Sequence, residues 1–303
     1  MNRLFALSLL TMLFTWILLV IGGLVNPMGA SMACPDWFFF PTCNGEIFPV
    51  MKGGVLYEHG HRLAASVVGI FTVFLTVSCL RSICDKKTKQ LACLALFLVI
   101  LQGTLGGITV LLNLSALVST LHLVFGMLFF SLLVVISFKL SPKFKPMPLF
   151  EKSQTFMLLA IMLTLLQLVL GGVVRHLGAG MACGDDLLGC GPVLWPTYFL
   201  GQLHMSHRFF GYALFFIVIY ASAKSRALAV SRGDNLVKTL SILPVFITFC
   251  QIALGLMTIH TIRSAHVVAT HTGFGALLLA SLLVVYLLNL GSVGVQQPNR
   301  AQF

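Results

Sequence analysis

Charged side chains are scarce in this sequence. Asp, Glu, Lys and Arg make up 9% of its 303 residues, whereas a soluble domain carries about 25%. Hydrophobic residues make up 58%, and the mean hydropathy is +0.99. This composition leaves almost no material for a soluble domain. The sequence also lacks the patches of basic and aromatic residues that bind nucleic acid, so the net charge of +11 reflects membrane topology and no nucleic-acid partner is expected.

Long apolar runs fill most of the chain. Eight of them approach about 20 residues, the length with which a helix crosses the hydrocarbon core of a lipid bilayer. Basic residues concentrate near both termini and in the loops after the second, fourth and sixth runs, so the positive-inside rule places both termini in the cytoplasm. We predict an all-α membrane protein whose eight transmembrane helices lie at 4–25, 62–80, 91–112, 118–138, 154–175, 202–222, 239–260 and 266–290.

The two halves of the chain are copies of one unit. Residues 22–34 match residues 171–183 at eight of thirteen positions, with an offset of 149. Each copy has four apolar runs, and an even number gives both copies the same orientation about an axis along the membrane normal. We therefore predict two tandem, pseudo-symmetric four-helix bundles, at 1–140 and 154–303, joined by a cytoplasmic linker at 141–153.

No two cysteines have the C-x-x-C spacing of thiol–disulfide oxidoreductases. Each copy instead has one cysteine pair in the long outer loop after its first helix, Cys34 with Cys43 and Cys183 with Cys190. The outer side of a bacterial inner membrane is oxidising, which favours a disulfide within each loop. The spacing leaves open whether such a bridge is a structural staple or a redox-active pair.

Histidine is absent from the predicted cytoplasmic side, and four of the nine histidines occupy duplicated positions. His61 corresponds to His207, and His122 corresponds to His271. In each copy one histidine begins the second helix at its outer end, and the other lies one turn into the fourth helix. Two imidazoles that face each other at membrane depth suit the axial ligation of a haem iron. A proton relay or simple packing stays open, and zinc is less favoured because structural zinc takes four ligands.

Small and cationic residues accompany these histidines. The glycines would let a flat macrocycle approach the backbone, or would allow close helix packing. The arginines at the outer rim would bind propionate carboxylates or act as ordinary interfacial residues. The glycines are Gly103, Gly106, Gly107, Gly126, Gly255 and Gly275, and the arginines are Arg62, Arg175 and Arg208.

Glu58 is the main difference between the two copies. It precedes His61 by three residues, on the same face of a helix, where the second copy has His204 before His207. A carboxylate beside a ligand can transfer protons or stabilise a developing positive charge. This asymmetry predicts chemistry in the first half and a redox cofactor in the second. Alternatively, Glu58 forms only an i,i+4 ion pair with Arg62.

Together these features resemble the haem A synthase family, the membrane oxygenases of cytochrome oxidase biogenesis. The resemblance covers nearly the whole chain. It rests on the eight helices, the duplicated histidines, Cys-Pro-Asp-Trp at 34–37, Glu-x-x-His-Arg at 58–62, and Gly-Gly-Val-Val-Arg-His at 171–176. The chain departs from the family at Asn26-Pro27, where a Thr-Arg or similar polar pair is usual. It also departs in the second outer loop, which lacks a Cys-Pro-x-x-Pro pattern.

The resemblance implies an enzyme that oxidises the C8 methyl of haem O to a formyl group, giving haem A for cytochrome oxidase. It implies that His61 and His122 flank the substrate haem and that Glu58 is catalytic. It further implies haem b as a cofactor ligated by His207 and His271. For the cysteines of the first loop it implies a role in redox function or assembly.

The same resemblance implies partners and a location. The partners are haem O synthase, the farnesyltransferase that makes the substrate, and an electron donor of unspecified identity; a homo-oligomer is compatible with the chain. The location is the bacterial inner membrane, with the haem sites toward the periplasmic face. The alternative function is that of a dihaem electron-transfer protein of the cytochrome b type without oxygenase activity. A transporter is disfavoured, because no charged group lies at mid-membrane.

Overall fold

The computed structural model describes residues 3–37, 41–142 and 153–290, and the regular structure in these ranges is helical apart from two isolated β-bridges. Eight spans are long and apolar enough to cross a membrane, so the chain is a multi-pass membrane protein and the predicted fold class is confirmed. The helices are α1 (Arg3–Val25), α2 (Gly54–Arg81), α3 (Lys86–Leu111), α4 (Ala116–Leu140), α5 (Ser153–His176), α6 (Phe199–Ser231), α7 (Asn235–Leu240), α8 (Leu243–His260) and α9 (Ala265–Leu290).

Two helices begin earlier than their apolar runs predict. α2 begins at Gly54 and α6 at Phe199, so Glu58, His61 and His207 lie inside helices. The prediction that His61 begins the second helix was therefore wrong, by about two turns. The physical reason is that the polar residues of 58–62 find partners in the outer loop above them. The helix can continue through them even though they interrupt the apolar run.

The span predicted as one helix at 239–260 is broken into two. The short α7 is capped by the Asp234 side chain, which accepts a hydrogen bond from the Val237 N–H, and α8 begins at Leu243 with Pro244 in its first turn. Proline has no N–H to donate to the carbonyl four residues earlier, and its ring clashes with that carbonyl. The helix therefore ends at Leu240 and restarts after Ser241 and Ile242.

The first and last helices of each copy form the contact between the two halves. α1 packs on α9 and α4 packs on α5, while α4 and α9 also meet. Glycines at equivalent positions allow the close approach. A Cβ at Gly23 would lie 2.9 Å from the Ala269 Cα, and one at Gly172 would lie 3.2 Å from the Thr120 Cγ2. One buried core cluster includes residues of α4, α5, α6, α8 and α9, so the halves share a core.

The orientation of the termini and the division at residues 140 and 154 stay predictions. Most of the linker predicted at 141–153 lies outside the described residues. At the predicted cytoplasmic end, Asp85 caps α3 by accepting from the Thr88 N–H and lies 3.5 Å from Lys139 of α4. The hydrogen bond from the Thr88 side chain and the Lys139 ammonium lower the pKa of Asp85 to about 2.

Candidate functional site

The first-half histidines lie in the interior of their bundle, each against a glycine of a neighbouring helix. A Cβ at Gly22 of α1 would lie 2.9 Å from the His61 Cε1, and one at Gly106 of α3 would lie 3.3 Å from the His122 Cε1. The Nδ1 atoms of His61 and His122 are buried without a hydrogen-bond partner. The two imidazoles are close enough to interact electrostatically. The structure thus brings the predicted pair together and leaves one ring nitrogen of each imidazole, Nδ1, without a partner.

The second-half histidines repeat this arrangement. A Cβ at Gly171 would lie 2.9 Å from the His207 Cε1, and one at Gly255 would lie 3.5 Å from the His271 Cε1. Their Nδ1 atoms are also buried without a partner. The four glycines therefore make room chiefly for imidazole rings. Two further glycines of the predicted set, Gly126 and Gly275, make room instead for the side chains of Gln102 and Gln251.

His207 and His271 line one cavity of about 220 Å³. Three arginines also line it, Arg175, Arg208 and Arg263, and its lining includes no Asp or Glu. The Arg175 Nε and the Arg208 Nη2 are buried without a hydrogen-bond partner. Unpaired guanidinium donors in a cavity without carboxylates are suited to an anionic ligand, and carboxylates match their geometry. A pair of imidazoles beside carboxylate-binding donors fits a haem with its propionates.

Arg263 was not singled out from the sequence. It lies with Ile262 in a turn where both residues have left-handed backbone, at φ 62° and 51°. The first copy repeats this turn at the same offset with Asn113 and Leu114, at φ 48° and 62°. Such a conformation is costly for a β-branched residue such as Ile262. An alignment of the two copies could have found Arg263, because a cation replaces leucine there.

No group of three or more His, Cys, Asp or Glu side chains converges within the described ranges in a way that could hold a metal ion. The candidate ligand sets in this part of the chain are therefore the two imidazole pairs. A pair of axial imidazoles is sufficient for haem, whose other four iron ligands belong to the macrocycle. A structural zinc site takes four protein ligands.

Glu58 and Arg62 hold the first outer loop on α2. The Arg62 guanidinium donates to the carbonyls of Cys34, Asp36 and Thr42 at 2.6–2.8 Å. It also pairs with the Glu58 Oε1 at 2.9 Å. The Glu58 Oε2 accepts from the Cys34 N–H at 2.9 Å, and Glu58 is 5% exposed. The i,i+4 ion pair is therefore present, and Arg62 is occupied with loop carbonyls.

The second half uses a different anchor. The Arg208 Nη1 donates to the Gly189 carbonyl of the second outer loop at 2.9 Å, and its Nε donates to the His204 Nε2 at 3.3 Å. His204 thus takes the place of Glu58 as partner of the helix arginine. Arg208 retains one unpaired donor beside the cavity, whereas no donor of Arg62 is buried without a partner.

Both outer loops contain a disulfide, Cys34–Cys43 and Cys183–Cys190. An aspartate organises each loop. Asp36 accepts from the N–H groups of residues 44 and 45, and Asp186 accepts from those of 188, 189 and 191. Burial raises the pKa of Asp36, but these hydrogen bonds outweigh it and keep the pKa below its usual value. The backbone donors of residues 189 and 188 likewise lower the pKa of Asp186.

The burial of the first disulfide leads to a prediction about its chemistry. Cys34 and Cys43 are both 0% exposed, so a reductant has no direct access to the sulfurs. We expect the bridge to survive dithiothreitol that reduces exposed disulfides, because thiol–disulfide exchange needs an attacking thiolate to reach sulfur. Maleimide mass labelling of the native protein after this treatment should modify Cys84, a free thiol in the loop between α2 and α3, but neither Cys34 nor Cys43. Rapid labelling of Cys34 and Cys43 under these conditions would show an accessible, redox-active pair.

Polar contacts between the halves link the two candidate sites. The Arg175 Nη2 donates to the Gly23 carbonyl at 3.1 Å, and the His176 Nδ1 lies 3.0 Å from the Thr120 Oγ1. Arg175 lines the second-half cavity, while Gly23 follows the glycine that faces His61. The sequence predicts that Arg175 lies at the outer rim of the membrane. It does not predict these contacts, because they depend on how the two copies pack against each other.

The described fold and its paired sites define a class: a multi-pass membrane protein built from two copies of a unit with four membrane spans, each with two imidazoles set against glycines and close enough to interact electrostatically. Residues 5–283 match the family COX15-CtaA, cytochrome oxidase assembly protein, and the chain belongs to that family.

Curated relatives carry a single name. The chain is 29% identical over 230 residues to a protein of Bacillus pumilus named "Heme A synthase", covering 72% of this chain and 74% of that one. It is 27% identical over 270 residues to the Exiguobacterium sibiricum protein of the same name, covering 84% and 85%. Its identity to the Geobacillus thermodenitrificans protein of that name is 26% over 280 residues, covering 90% and 87%.

Proposed function

We propose that this protein is a haem A synthase, an enzyme that oxidises the C8 methyl of haem O to a formyl group. The observation that carries the proposal is the duplicated pair of glycine-backed imidazoles whose Nδ1 atoms are buried without partners. Membership of the cytochrome oxidase assembly family and relatives named "Heme A synthase" supply the reaction.

The second half fits a resident haem b. His207 and His271 would hold its iron, and the unpaired donors of Arg175 and Arg208, with Arg263 beside them, would hold the propionates. When bound, haem b supplies one-electron transfer. The Arg175 contact with Gly23 supports a cofactor site that would adjoin the half that would hold the substrate.

The first half fits the substrate haem. His61 and His122 would hold haem O, and Glu58 lies one helical turn from His61 on the same face. Both oxygens of Glu58 already accept hydrogen bonds, so the side chain is fixed in position. A fixed carboxylate suits the stabilisation of a developing positive charge better than a proton transfer that requires the side chain to move. By this reasoning Glu58 acts electrostatically on the haem.

The overall reaction requires an oxidant and an electron donor. Two successive hydroxylations of the methyl consume two dioxygen molecules, four electrons and four protons. They yield the formyl group and three water molecules, after the second hydroxyl is lost as water. The electrons would come from a membrane electron donor by way of the second half. The substrate would come from the farnesyltransferase that makes haem O, and both sites would lie toward the outer face of the inner membrane.

The decisive experiment is haem extraction from cells that express this chain together with a haem O synthase. Chromatography should separate haems B, O and A, and we expect haem A only when both proteins are present. Unchanged haem O together with protein-bound haem b would instead support the dihaem electron-transfer alternative. Purified protein without absorbance in the Soret region would contradict both haem functions.

Two matched glycine variants test, in the same assay, which half holds the substrate haem and which half holds haem b. Gly22→Ala and Gly171→Ala each introduce a methyl group 2.9 Å from a histidine Cε1, so they perturb equivalent rings by the same distance. We expect Gly22→Ala to lower haem A formation about tenfold or more with haem b retained, since a misplaced ligand mainly affects its own site. Gly171→Ala should shift the spectrum of haem b or reduce its content. The reverse pattern would exchange the roles of the halves.

A further inference from the structure

We propose that Trp37 forms the outer wall of the first-half site and retains the partly oxidised haem between the two oxidation steps. This inference rests on the proposed function and adds a residue that neither the sequence motifs nor the histidine pairs assign. It starts from Trp37, a large aromatic side chain of the first outer loop that contacts α3 next to the histidine site.

The indole lies directly on the backbone of α3. A Cβ at Gly107 would overlap the six- and five-membered rings of Trp37, so residue 107 must be glycine for the indole to occupy this position. Gly107 is buried, whereas Trp37 is 38% exposed, so the indole covers the helix from the outer side. The space that this glycine makes is therefore filled by a loop residue.

Both attachments of the indole are one residue from the histidine site. Gly107 follows Gly106, the glycine that faces His122. Trp37 follows Asp36, whose carbonyl accepts from Arg62, the residue after His61. The loop segment that carries the indole therefore contacts α2 through the Asp36 carbonyl and α3 through the indole, next to the imidazole pair. Its position is set by the same Arg62 and Glu58 contacts that hold the disulfide loop on α2.

The second half has no equivalent of this wall. At the offset of 149, Gly107 corresponds to Leu256 and Trp37 corresponds to Asp186. Leu256 lines the second-half cavity, where a leucine side chain occupies the place of the glycine. A cofactor site only has to hold one species permanently. A substrate site that oxidises the same methyl twice must keep its first product, and the half assigned to the substrate is the one in which an indole lies on a glycine at this helix position.

The chemistry explains why retention matters. The first hydroxylation breaks one C–H bond of the methyl and forms a C–O bond, taking one oxygen atom from dioxygen, with two electrons and two protons converting the other atom to water. The product is an alcohol, which is more polar than the methyl compound and interacts more favourably with water. Release at this point would give the alcohol instead of the aldehyde. An aromatic wall that excludes water opposes that release.

The test compares Trp37→Ala with three other variants in cells that supply haem O. We expect Trp37→Ala to raise the ratio of extracted hydroxymethyl haem to haem A about tenfold, the effect of losing a large aromatic contact. Gly107→Ala should act in the same direction, because the new methyl displaces the indole from the other side. Trp37→Phe should restore most of the wild-type ratio. Trp195→Ala is the matched control, since Trp195 is a 50% exposed tryptophan in the second half that stacks on Phe209.

A binding measurement provides a readout that does not depend on turnover. Under anaerobic conditions, transfer of haem O from the purified protein to apomyoglobin should be about tenfold faster for Trp37→Ala and Gly107→Ala than for wild type. The haem b spectrum of each variant reports that it has folded. Wild-type product ratios and transfer rates in both folded variants would overturn the role of Trp37. Absence of any oxidised haem from the wild type would instead overturn the proposed function itself.

Discussion

Replacing His271 with alanine is expected to remove haem b from the purified protein. The imidazole of His271 has a buried Nδ1 without a partner and lines the second-half cavity together with His207, so it is available to a ligand in that cavity. Loss of an axial ligand should weaken haem binding by more than about tenfold, since even the residues that orient a ligand contribute tenfold or more. The measurement is the amount of haem b per protein, from the pyridine haemochrome spectrum.

Three comparisons make this result specific. His260→Ala changes an exposed histidine at the end of α8 and should retain a full complement of haem b. His122→Ala is the equivalent substitution in the first half and should retain haem b while haem A formation is lost. Added imidazole should restore part of the haem b binding to His271→Ala, because the substitution leaves a space of the right shape. A His271→Ala protein with the full haem b content would contradict the ligand assignment.

The eight spans and the repeat could be predicted because both depend on local chemistry. An apolar run of about 20 residues has few alternatives to a membrane helix, and the 149-residue offset is visible in the identities themselves. The pairing of His61 with His122 followed from the same offset, since equivalent residues in two copies of one unit lie in equivalent places.

The contacts of Glu58, Arg62 and Trp37 could not be predicted, because their partners are backbone groups of an irregular loop. Sequence shows that Glu58 and Arg62 are four residues apart, but not that Arg62 binds three loop carbonyls. From the sequence, Gly107 is expected to allow close packing of two helices. In the structure it makes room for the Trp37 indole. Pro244 could have predicted the break between α7 and α8. The prediction of one helix followed the continuous apolar run and did not take this proline into account.

The asymmetry between the two outer loops has a consequence for how the first half works. In the second half Arg208 divides its donors between a loop carbonyl, His204 and the cavity. In the first half the side chains of Glu58 and Arg62 bind only each other and the loop, within the residues that the structure describes. The loop, its disulfide and Trp37 are thereby fixed to the helix that carries His61. Precise placement of substrate groups increases reaction rates by large factors. This anchoring therefore favours a substrate site in the first half.

Replacing Glu58 with glutamine is expected to reduce haem A formation by about 10²–10³-fold, the range found when a positioned charged or hydrogen-bonding group is removed from an active site. Glutamine keeps the size of the side chain and an oxygen that can accept from the Cys34 N–H, but it removes the negative charge. The measurement is the rate at which haem O disappears and haem A appears in membranes with equal amounts of protein. Haem b content should not change, because Glu58 lies in the other half.

Glu46→Gln is the matched control for this substitution. Glu46 is an exposed carboxylate in the same outer loop, and its contacts to Cys43 use only backbone groups. It should therefore retain full activity. Maleimide labelling of Cys34 and Cys43 after treatment with dithiothreitol separates two explanations of a loss in Glu58→Gln. Unlabelled cysteines would assign the loss to the missing charge near His61, while labelled cysteines would show that Glu58 acts by holding the loop. Haem A formation at the wild-type rate in Glu58→Gln would exclude a role for the negative charge of Glu58, because the ion pair with Arg62 is lost in this variant.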